Sequence, residues 1–401
     1  MFSDHRNILM VHPHDLFDKA EPWTIRILSL AKEMAKKGHS VKLCYFPVLL
    51  GQKRTPVTID NVLCIALDRT PSPLIFIKNI HSLFSLGKWA DIIHFQKCHY
   101  YAALPAVIAA YMNDKPLHYD WDDWEEKIWY ESCGRNPHSR IIGFSFKLLE
   151  YFLPKLSDSV SCCSNRLKEL ALGLGVKDEF IFDAPVGADT DKFFPRPISR
   201  EIREKYGILK DEHIILYVGQ LHGAQYVDLL IKAANIILQA RTDVKFMIVG
   251  EGFLGQNLRR MVEDFGLKNK IIFTGAVSHD EIPLYIGAAS VCVAPFKDTN
   301  VSRCKSPLKI VEYMASGKAI VASNVGEVCR MLGGVGMLTA PGDYQGLAVK
   351  VVALLNDSNL RCNLGMAARK RAEYKYNWAH TARNLLEAYN KISGDIKKEF
   401  P

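Results

Sequence analysis

Two hydrophobic patterns recur along the chain, and each predicts a different kind of secondary structure. Short apolar runs such as "NILMV" and "HIILYV" indicate buried strands, whereas "TIRILSLAKEMAKKG" and "YVDLLIKAANIILQA" have apolar residues at the spacing of one helix face. In both places a second apolar run follows, "HSVKLCYF" or "VKFMIVG". Strand, helix and strand in this order form a βαβ unit, whose parallel strands need a sheet covered on both faces.

The alternation continues through the chain and predicts an α/β protein with two doubly wound, Rossmann-like domains. Residues 185–197, "PVGADTDKFFPRP", lack periodicity and are rich in Pro, Gly and Asp, so they are the predicted linker. We expect an N-terminal domain at 1–190, a C-terminal domain at 191–375, and a last helix within 376–401 that returns to the first domain. Ligands are then expected at the carboxyl ends of the strands, in a cleft between the domains. Further strands are predicted at "ADIIHF", "PLHYDW", "SVSCCS", "KIIFTGA", "SVCVAPF" and "KAIVAS".

Composition places the chain among ordinary globular proteins. It has 401 residues, of which 48% are hydrophobic and 23% are charged, and that length favours two cores over one. No apolar run is long enough to span a bilayer, and the N-terminal segment lacks the pattern of a signal peptide. The ten cysteines are scattered without metal-ligand spacing, which is typical of reduced thiols. We therefore expect a cytoplasmic protein.

The net charge of +8 is carried by one half of the chain. Residues 1–194 have 23 basic and 23 acidic side chains, whereas residues 195–401 have 28 basic and 20 acidic ones. This asymmetry favours an anionic ligand or surface for the second half. Nucleic acid is the weaker interpretation, because the basic residues are dispersed and no aromatic-basic recognition module is present.

The stretch "SPLKIVEYMASG" predicts a helix with a cation in an unfavourable place. We expect Ser306 at its N-cap, Pro307 at its first position and Gly317 at its C-terminal cap. Lys309 in the first turn opposes the helix dipole, so an anion such as a phosphate is expected beside it. An ordinary surface lysine is the alternative.

A cluster of acids follows a predicted strand in the first half. In "HYDWDDWEEK", Asp120, Asp122 and Asp123 lie at the carboxyl end of that strand, where doubly wound sheets present functional groups. A carboxylate there is suited to accept a proton from a hydroxyl, and two aromatic residues, Trp121 and Trp124, flank the acids. A solvated acidic loop is the alternative.

Several stretches together resemble glycosyltransferase family 4, whose members have the GT-B fold. The linker "PVGADTDKFFP" is similar to the family's "NGVDxxxFxP", and "YVGQLHGAQYVDLLIKA" is similar to "YVGRLxxxKGVDLLIxA". "IVGEGFLGQNL" resembles the strand–turn–helix that follows. "CKSPLKIVEYMASGKAIVAS" matches the segment that carries the family's paired glutamates, and "YNWAHTARNLLEAYNKI" is also typical. The resemblance is stronger over residues 185–393 than over residues 1–184.

The resemblance implies roles for residues of the second half. Glu312 takes the place of the glutamate that binds the ribose hydroxyls of a nucleotide-sugar donor. The backbone around Ser306, Pro307 and Leu308, together with Lys309, is expected to meet the diphosphate. Glycines are expected to let the donor approach the backbone closely, at positions Gly219, Gly252 and Gly275.

The chain departs from the family pattern at three positions. The first glutamate of the pair is replaced by Cys304, and the usual diphosphate-binding Arg and Lys are replaced by Gln220 and Gln225. Arg303 and Lys305, with Lys309, are the predicted replacements for the lost cations.

The resemblance implies that the three aspartates bind the acceptor or stabilise positive charge on the sugar, and that Trp121 and Trp124 pack on a sugar face. Further acceptor-side contacts are expected from the loop after the first strand and from one apolar segment. The loop residues His14 and Glu21 are candidates, although a lone histidine is as often a loop or cap residue. Residues 72–89, "SPLIFIKNIHSLFSLGKW", predict either a core-facing helix or a helix on a membrane surface, as in transferases acting on lipid-linked sugars. In the second case the protein would act at the inner face of the membrane.

The resemblance implies transfer of a sugar from a UDP- or GDP-sugar to an acceptor hydroxyl, with retention of configuration, in polysaccharide or glycolipid biosynthesis. The expected partners are the nucleoside diphosphate-sugar and an acceptor glycan or lipid-linked glycan. No cofactor and no metal are expected to be required. A nucleotide-sugar epimerase of the same fold and a non-catalytic sugar-nucleotide-binding protein are the alternatives.

Overall fold

The computed structural model describes residues 5–18, 24–48, 55–69, 72–133, 136–197 and 199–393. The chain forms two compact units, one of Met1–Pro185 with Trp378–Pro401 and one of Val186–Asn377. The chain thus leaves the first unit at the start of the predicted linker and comes back to it for the last helix.

The described strands of the first unit form an eight-stranded sheet with the order β3-β4-β2-β1-β5-β6-β7-β8. Its pairs are parallel except for the antiparallel pair of β3 and β4. The direction of winding reverses between β1 and β5, as in a doubly wound fold. The strands are β1 (Asn7–Val11), β2 (Ser40–Tyr45), β3 (Val57–Ile59), β4 (Val62–Ala66), β5 (Ile92–Gln96), β6 (Leu117–Trp121), β7 (Ser159–Cys162) and β8 (Ile181–Asp183).

The helices that follow these strands cover the sheet. In the first of them Ile27, Leu30, Ala31 and Met34 are buried, the spacing of one helix face. The helices are α1 (Ile25–Lys36), α2 (Pro73–Trp89), α3 (Tyr100–Met112), α4 (Glu125–Cys133), α5 (Pro137–Leu156) and α6 (Asn165–Gly173).

The described strands of the second unit form a six-stranded parallel sheet with the order β11-β10-β9-β12-β13-β14. The winding reverses between β9 and β12, so the prediction of two doubly wound α/β units is confirmed. The strands are β9 (His213–Val218), β10 (Val244–Val249), β11 (Ile271–Gly275), β12 (Val291–Ala294), β13 (Ile320–Ser323) and β14 (Met337–Thr339).

Helices of the second unit pack on this sheet around an aliphatic core. Leu230 and Ile237 from one helix and Val351 and Leu354 from another are fully buried against the strands. The helices are α7 (Arg200–Lys205), α8 (Val227–Ala240), α9 (Gly255–Asp264), α10 (Ile282–Ala288), α11 (Asn300–Cys304), α12 (Leu308–Ala315), α13 (Glu327–Leu332), α14 (Tyr344–Asn356) and α15 (Ser358–Lys375). The last helix, α16 (Trp378–Ser393), packs on α1 and β8 of the first unit.

All of the predicted strands are present, and four short ones were not predicted: β3, β4, β8 and β14. The β3–β4 hairpin turns at Asp60 and Asn61, whose φ angles are +47° and +66°. Asn and Asp tolerate this left-handed conformation better than other residues with a side chain. The pair "DN" between two apolar runs was therefore a usable signal for this hairpin.

The two ends of α12 differ in how well the sequence predicted them. Gly317 follows the helix with φ +65°, and its N–H donates to the carbonyl of Met314 at 2.9 Å, as expected of a C-terminal glycine. Pro307, not Ser306, is the N-cap residue. The hydroxyl of Ser306 instead accepts a hydrogen bond from the N–H of Val186 at 3.2 Å, so this serine is used by the linker.

The apolar segment 72–89 forms α2, and only part of it faces the core. Leu83 is buried, and the Asn79 side chain donates to the carbonyl of Asp68 at 2.8 Å. Leu74 and Ile77 in its first turns are exposed. No helix among the described residues is both long and apolar enough to cross a membrane.

Candidate functional site

Polar side chains gather at the carboxyl edge of each sheet, where the direction of winding reverses. In the first unit they follow β1, β5 and β6, and in the second unit they follow β9 and lie on α12 after β12. Such reversal points are where doubly wound sheets bind ligands. Each unit therefore has its own candidate half-site.

In the second unit, Lys309 lies against the end of β9. Its Nζ donates to the hydroxyl of Tyr217 at 2.7 Å and to Oε1 of Gln225 at 2.8 Å. Burial and the neighbouring Lys305 lower the pKa of Lys309 well below its usual value. Its described hydrogen-bond partners, Tyr217 and Gln225, are neutral. An anion bound here would therefore stabilise the charged form of Lys309.

Glycines at the same edge make room mainly for other parts of the chain. A Cβ on Gly219 would lie 2.6 Å from Nζ of Lys309, so the missing side chain makes room for the lysine. A Cβ on Gly250 or Gly252 would lie 2.0 or 2.3 Å from the carbonyl oxygen of Gly219 or Leu221. These two glycines are therefore explained by backbone contacts between the ends of β9 and β10.

Gly275 has a different reason to be glycine. No atom lies within 4 Å of the position where its Cβ would be, but its φ is +75°, which favours glycine. Its carbonyl accepts the N–H of Gly250 at 3.0 Å, so it too joins neighbouring strand ends.

Glu312 is buried one turn beyond Lys309 and is held by a histidine that was not predicted. Its Oε1 accepts a hydrogen bond from Nε2 of His279 at 2.6 Å. Nδ1 of that ring lies 3.0 Å from Nζ of Lys192, which also pairs with Asp280 at 2.7 Å. The relay of Lys192, His279 and Glu312 fixes the histidine tautomer, with the proton on Nε2. His279 follows β11 at the carboxyl edge of the sheet, and this position was the signal by which the sequence could have indicated it.

The predicted replacement cations are not equivalent. Arg303 is exposed and binds Asp298 with two hydrogen bonds, of 2.6 and 2.8 Å, so its charge is already compensated. Its contact with the diphosphate stays a prediction, because an exposed ion pair is weak and leaves the guanidinium able to exchange partners. Cys304 is buried, and Oε1 of Gln225 accepts a hydrogen bond from Lys309. Lys305 and Gln220 are partly buried nearby.

In the first unit, Asp120 is a buried partner of Arg26. The guanidinium donates to both carboxylate oxygens at 2.8 Å, and the hydroxyl of Ser161 donates to Oδ1 at 2.6 Å. Burial alone would raise the pKa of Asp120, but the adjacent Arg26 lowers it well below the usual range. Both oxygens are occupied, so the predicted catalytic role of Asp120 is corrected to a structural one.

The Arg26–Asp120 pair belongs to a polar network inside the first unit. Arg26 also donates to the carbonyl of Ala184 at 2.9 Å, next to β8. Nε2 of His94 on β5 lies 4.0 Å from Asp120, and its Nδ1 lies 2.7 Å from the hydroxyl of Tyr389 on α16. The network joins helices of one layer to the central strands.

Asp122 lies just after β6, beside a buried lysine, Lys97. Nε2 of Gln96 donates to Oδ2 of Asp122 at 2.6 Å, and Nζ of Lys97 lies 3.4 Å from Oδ1. Lys97 also contacts Asp123 at 3.1 Å and Glu125 at 2.6 Å. These three carboxylates are close enough to ligate one metal ion, but the lysine ammonium contacts all of them and already supplies a cation.

Lys97 has two signs of a constrained position. Its φ is +64°, a left-handed conformation that is costly for a side chain other than Asn or Asp. It is buried, yet the three carboxylates raise the pKa of Lys97 well above its usual value against the effect of burial. This lysine was not predicted, because its partners lie on another loop.

The surroundings of Asp122 suit proton transfer. Burial and the neighbouring Asp123 and Asp120 raise the pKa of Asp122 to about 7, although Lys97 opposes the shift. A carboxyl group with this pKa is present in both protonation states near neutral pH, as an acid–base catalyst requires. Asp122 thus differs from Asp120, whose pKa is lowered beside Arg26.

Three histidines lie near Lys97 after β1 and β5. The ring centroid of His14 is 5.3 Å from that of His12 and 4.9 Å from that of His99. Burial and the charge of Lys97 lower the pKa values of His12 and His14 well below their usual value, so both rings are neutral at pH 7. His14 was predicted and His12 was not, while Glu21 lies outside the described residues.

The two predicted tryptophans have different environments. Trp121 is buried and stacks on Tyr119 with ring centroids 5.9 Å apart. Its predicted contact with a sugar is corrected, because the ring belongs to the core. Trp124 is partly buried at the start of α4, where Nζ of Lys127 lies 5.0 Å from its ring centroid.

The sequence of the second unit matches a known family. Residues 212–357 match the family model described as "Glycosyl transferases group 1". The chain is 29% identical over 194 residues to the alpha-D-kanosaminyltransferase of Streptomyces kanamyceticus, covering 48% of this chain and 49% of that protein. It is also 29% identical over 208 residues to the GDP-mannose-dependent alpha-(1-6)-phosphatidylinositol monomannoside mannosyltransferase of Mycolicibacterium smegmatis, covering 51% and 54%. The chain thus spans about half the length of the curated relatives it matches.

Solved structures resemble the whole chain. A glycosyltransferase from Rickettsia africae has a TM-score of 0.74 at 19% identity and covers 98% of this chain and 100% of its own. The protein Alr3699/HepE from Anabaena, in complex with UDP-glucose, has a TM-score of 0.74 at 17% identity and covers 96% and 100%. At these identities the likeness defines the fold, which is GT-B.

We predict that Arg26→Met destabilises the protein by about 3–5 kcal/mol, because it leaves the Asp120 carboxylate buried without its partner. Urea unfolding followed by circular dichroism measures the loss. Arg26→Met combined with Asp120→Asn is expected to lose less than the single variant, because no unpaired charge remains. Arg303→Met, which removes an exposed arginine, is the matched control. A loss below about 1 kcal/mol for Arg26→Met would contradict the structural role of the pair.

We also predict a pH-dependent effect of Asp122→Asn on stability. The fold raises the pKa of Asp122 to about 7, above the unfolded value of about 4, so its contribution to stability is lost as the pH rises between these values. Asparagine does not titrate, so the variant should gain about 2–3 kcal/mol relative to the parent between about pH 5 and pH 8. Urea unfolding at both pH values measures this difference, with the exposed Asp178→Asn as control. A variant that loses stability relative to the parent over this range would refute the assignment.

Proposed function

Because residues 212–357 belong to the group 1 glycosyltransferases and the two units have the GT-B fold, we propose that this protein is a glycosyltransferase. It transfers a sugar from a nucleoside diphosphate-sugar to an acceptor hydroxyl, with retention of anomeric configuration, in polysaccharide or glycolipid biosynthesis. The observation that carries the proposal is the pair of Lys309 and Glu312 on one face of α12. Retention is taken from the family resemblance alone.

The donor is a UDP- or GDP-sugar whose diphosphate binds at the start of α12. The first N–H groups of a helix have no partner within the helix, and they attract phosphate oxygens. Lys309 adds a cation at that point, and its pKa is lowered in the absence of an anion. The names of two similar proteins fit this class, since one is GDP-mannose-dependent and the other was solved with UDP-glucose.

The ribose of the donor binds Glu312. His279 holds Oε1 of the carboxylate at 2.6 Å and fixes its plane, which leaves Oε2 to accept a ribose hydroxyl. A carboxylate held in one orientation loses less conformational freedom when the ligand binds. This arrangement supports a role for His279 as a positioning residue for Glu312.

The acceptor hydroxyl is activated by Asp122. In the transfer step the acceptor oxygen forms a bond to the anomeric carbon on the same face of the sugar from which the diphosphate departs, so the configuration is retained as the bond to the diphosphate oxygen breaks. The hydroxyl proton passes to the Asp122 carboxylate, and the nucleoside diphosphate leaves with the bonding electrons. A pKa of about 7 fits a group that accepts this proton and later releases it. An acceptor glycan or lipid-linked glycan supplies the hydroxyl.

The proposal is tested first by calorimetric titration with UDP and GDP, and then by turnover of UDP- and GDP-sugars with and without a lipid-linked glycan acceptor. Binding of one nucleotide and acceptor-dependent turnover are expected. Absence of binding to either nucleotide would indicate that the donor site is not functional. Release of free sugar without an acceptor would indicate an epimerase-like reaction instead.

We predict that Glu312→Gln weakens binding of the nucleoside diphosphate by about 1.5–3 kcal/mol, because charged hydrogen bonds to the ribose hydroxyls are lost. Titration calorimetry measures the change, and Glu263→Gln on the exposed face of α9 is the control.

In the same assay we predict that Lys309→Met weakens binding of the nucleoside diphosphate far more than binding of the bare nucleoside. Equal losses for both ligands would remove Lys309 from the phosphate site, and unchanged binding in Glu312→Gln would remove Glu312 from the ribose site.

We predict that Asp122→Asn lowers turnover at least about a hundredfold while the affinity for the nucleoside diphosphate stays unchanged. The substitution keeps the shape of the side chain and removes its ability to accept a proton. Asp123→Asn is the matched control, since it contacts the same lysine but is the more exposed of the two and should keep near-parental turnover. If both variants retained parental rates, the base would lie elsewhere.

A further inference from the structure

Helix α5 has an unusual outer face. Five large apolar side chains on it are exposed, and their spacing places them along one side of the helix for three turns. The opposite side, with Phe146 and Leu153, is buried in the first unit. A surface helix normally has a polar outer face, so this pattern needs a partner. The five residues, named here the α5 stripe, are Ile141, Phe144, Leu148, Tyr151 and Phe152.

The exposure of the stripe is large and continuous. Ile141 is 71% exposed and Phe144 is 56% exposed, and the other three members lie between 42% and 50%. The stripe extends for about 16 Å along the helix axis, at 1.5 Å per residue. It is therefore a line of apolar surface, in contrast to the single exposed apolar residues that occur on any protein.

The exposed charged residues of α5 itself all have one sign. Arg140, Lys147 and Lys155 are exposed on the same helix, and Nζ of Lys155 lies 3.6 Å from the ring centroid of Tyr151. The acid within this described helix, Glu150, is buried on the other side, where its carboxylate accepts the N–H groups of Glu125 and Glu126. The outer face of α5 is thus apolar and cationic.

We propose that the α5 stripe binds the surface of an anionic lipid bilayer, with the helix lying in the headgroup region. An apolar line that includes aromatic rings enters the boundary of the acyl chains, and the flanking cations meet anionic headgroups. A second copy of the chain fits less well. A two-fold contact through this face would bring the cations Arg140, Lys147 and Lys155 of one copy towards the cations of the other.

This inference goes beyond glycosyl transfer and does not depend on it, because the binding is measured with lipid alone. It also differs from the expectation for residues 72–89. Helix α2 exposes Leu74 and Ile77 in its first turns, but its Lys78 is paired with Asp68 at 2.6 Å. Its described surface therefore lacks the line of apolar residues flanked by cations that α5 has.

The test is cosedimentation of the full chain with vesicles of phosphatidylcholine, alone or mixed with anionic phosphatidylglycerol. The parent should bind the anionic vesicles and bind the neutral ones weakly. The double variant Phe144→Gln/Leu148→Gln should lower the partition coefficient by at least about tenfold. Val349→Gln, on an exposed apolar residue of α14, is its control, and thermal melting verifies that all variants fold.

The cationic part of the proposal has its own variant. Lys147→Gln should lower binding to anionic vesicles by about fivefold, whereas Lys370→Gln, with the same change in net charge on exposed α15, should not. Equal effects of both would mean that only net charge matters and would overturn the assignment to α5.

Four further results would overturn the proposal. The parent fails to bind either kind of vesicle, or Phe144→Gln/Leu148→Gln binds as the parent does. A third result is a dimer of the parent, seen by light scattering, that dissociates in this variant. A second copy would then cover the stripe. Loss of binding in Leu74→Gln/Ile77→Gln alone would move the lipid contact to α2.

Discussion

The first unit depends on one buried ion pair, between Arg26 of α1 and Asp120 at the end of β6. Taking two charges out of water is favourable only when their hydrogen bonds are satisfied, and here Ser161 and the carbonyl of Ala184 contribute to this. The pair therefore ties the end of β6 to α1 and to the chain after β8. Two residues later, Asp122 accepts a hydrogen bond from Gln96 at the end of β5. The proposed base thus lies close in sequence to a buried acid whose oxygens are already held by Arg26 and Ser161.

The candidate site of each unit contains a buried or partly buried lysine. The charges around these two lysines differ. Lys97 is surrounded by three carboxylates, so its charge is overcompensated and its pKa is raised. Lys309 has a phenol and an amide as hydrogen-bond partners, so burial dominates and its pKa is lowered. A lysine of the first kind has nothing to gain from an anion, whereas one of the second kind gains a counter-charge. This contrast, more than the net charge of +8, supports the second unit as the place for a diphosphate.

The sequence predicted the features that depend on local periodicity. Lys309 and Glu312 lie three residues apart on one helix, so their shared face followed directly from the helix prediction. Asp120 was predicted to be catalytic and Trp121 to contact a sugar, because both lie at a strand end. A strand end exposes some side chains and buries others, and periodicity alone does not say which. The partner that decides the case of Asp120, Arg26, is 94 residues away in the sequence. His279 and Lys97 were missed for the same reason, since their partners are distant in sequence and close in space.

The protonation of Asp122 depends on distances within the Lys97 cluster. Nζ of Lys97 is 2.6 Å from Glu125 and 3.1 Å from Asp123, but 3.4 Å from Asp122. If the lysine were nearest to Asp122, attraction would keep that carboxylate ionised and weaken it as a base. Without the lysine, burial and the two neighbouring acids would keep it protonated. Lys97, with its left-handed backbone, places its ammonium among all three carboxylates, and burial raises the pKa of Asp122 to about 7 against the attraction of this lysine.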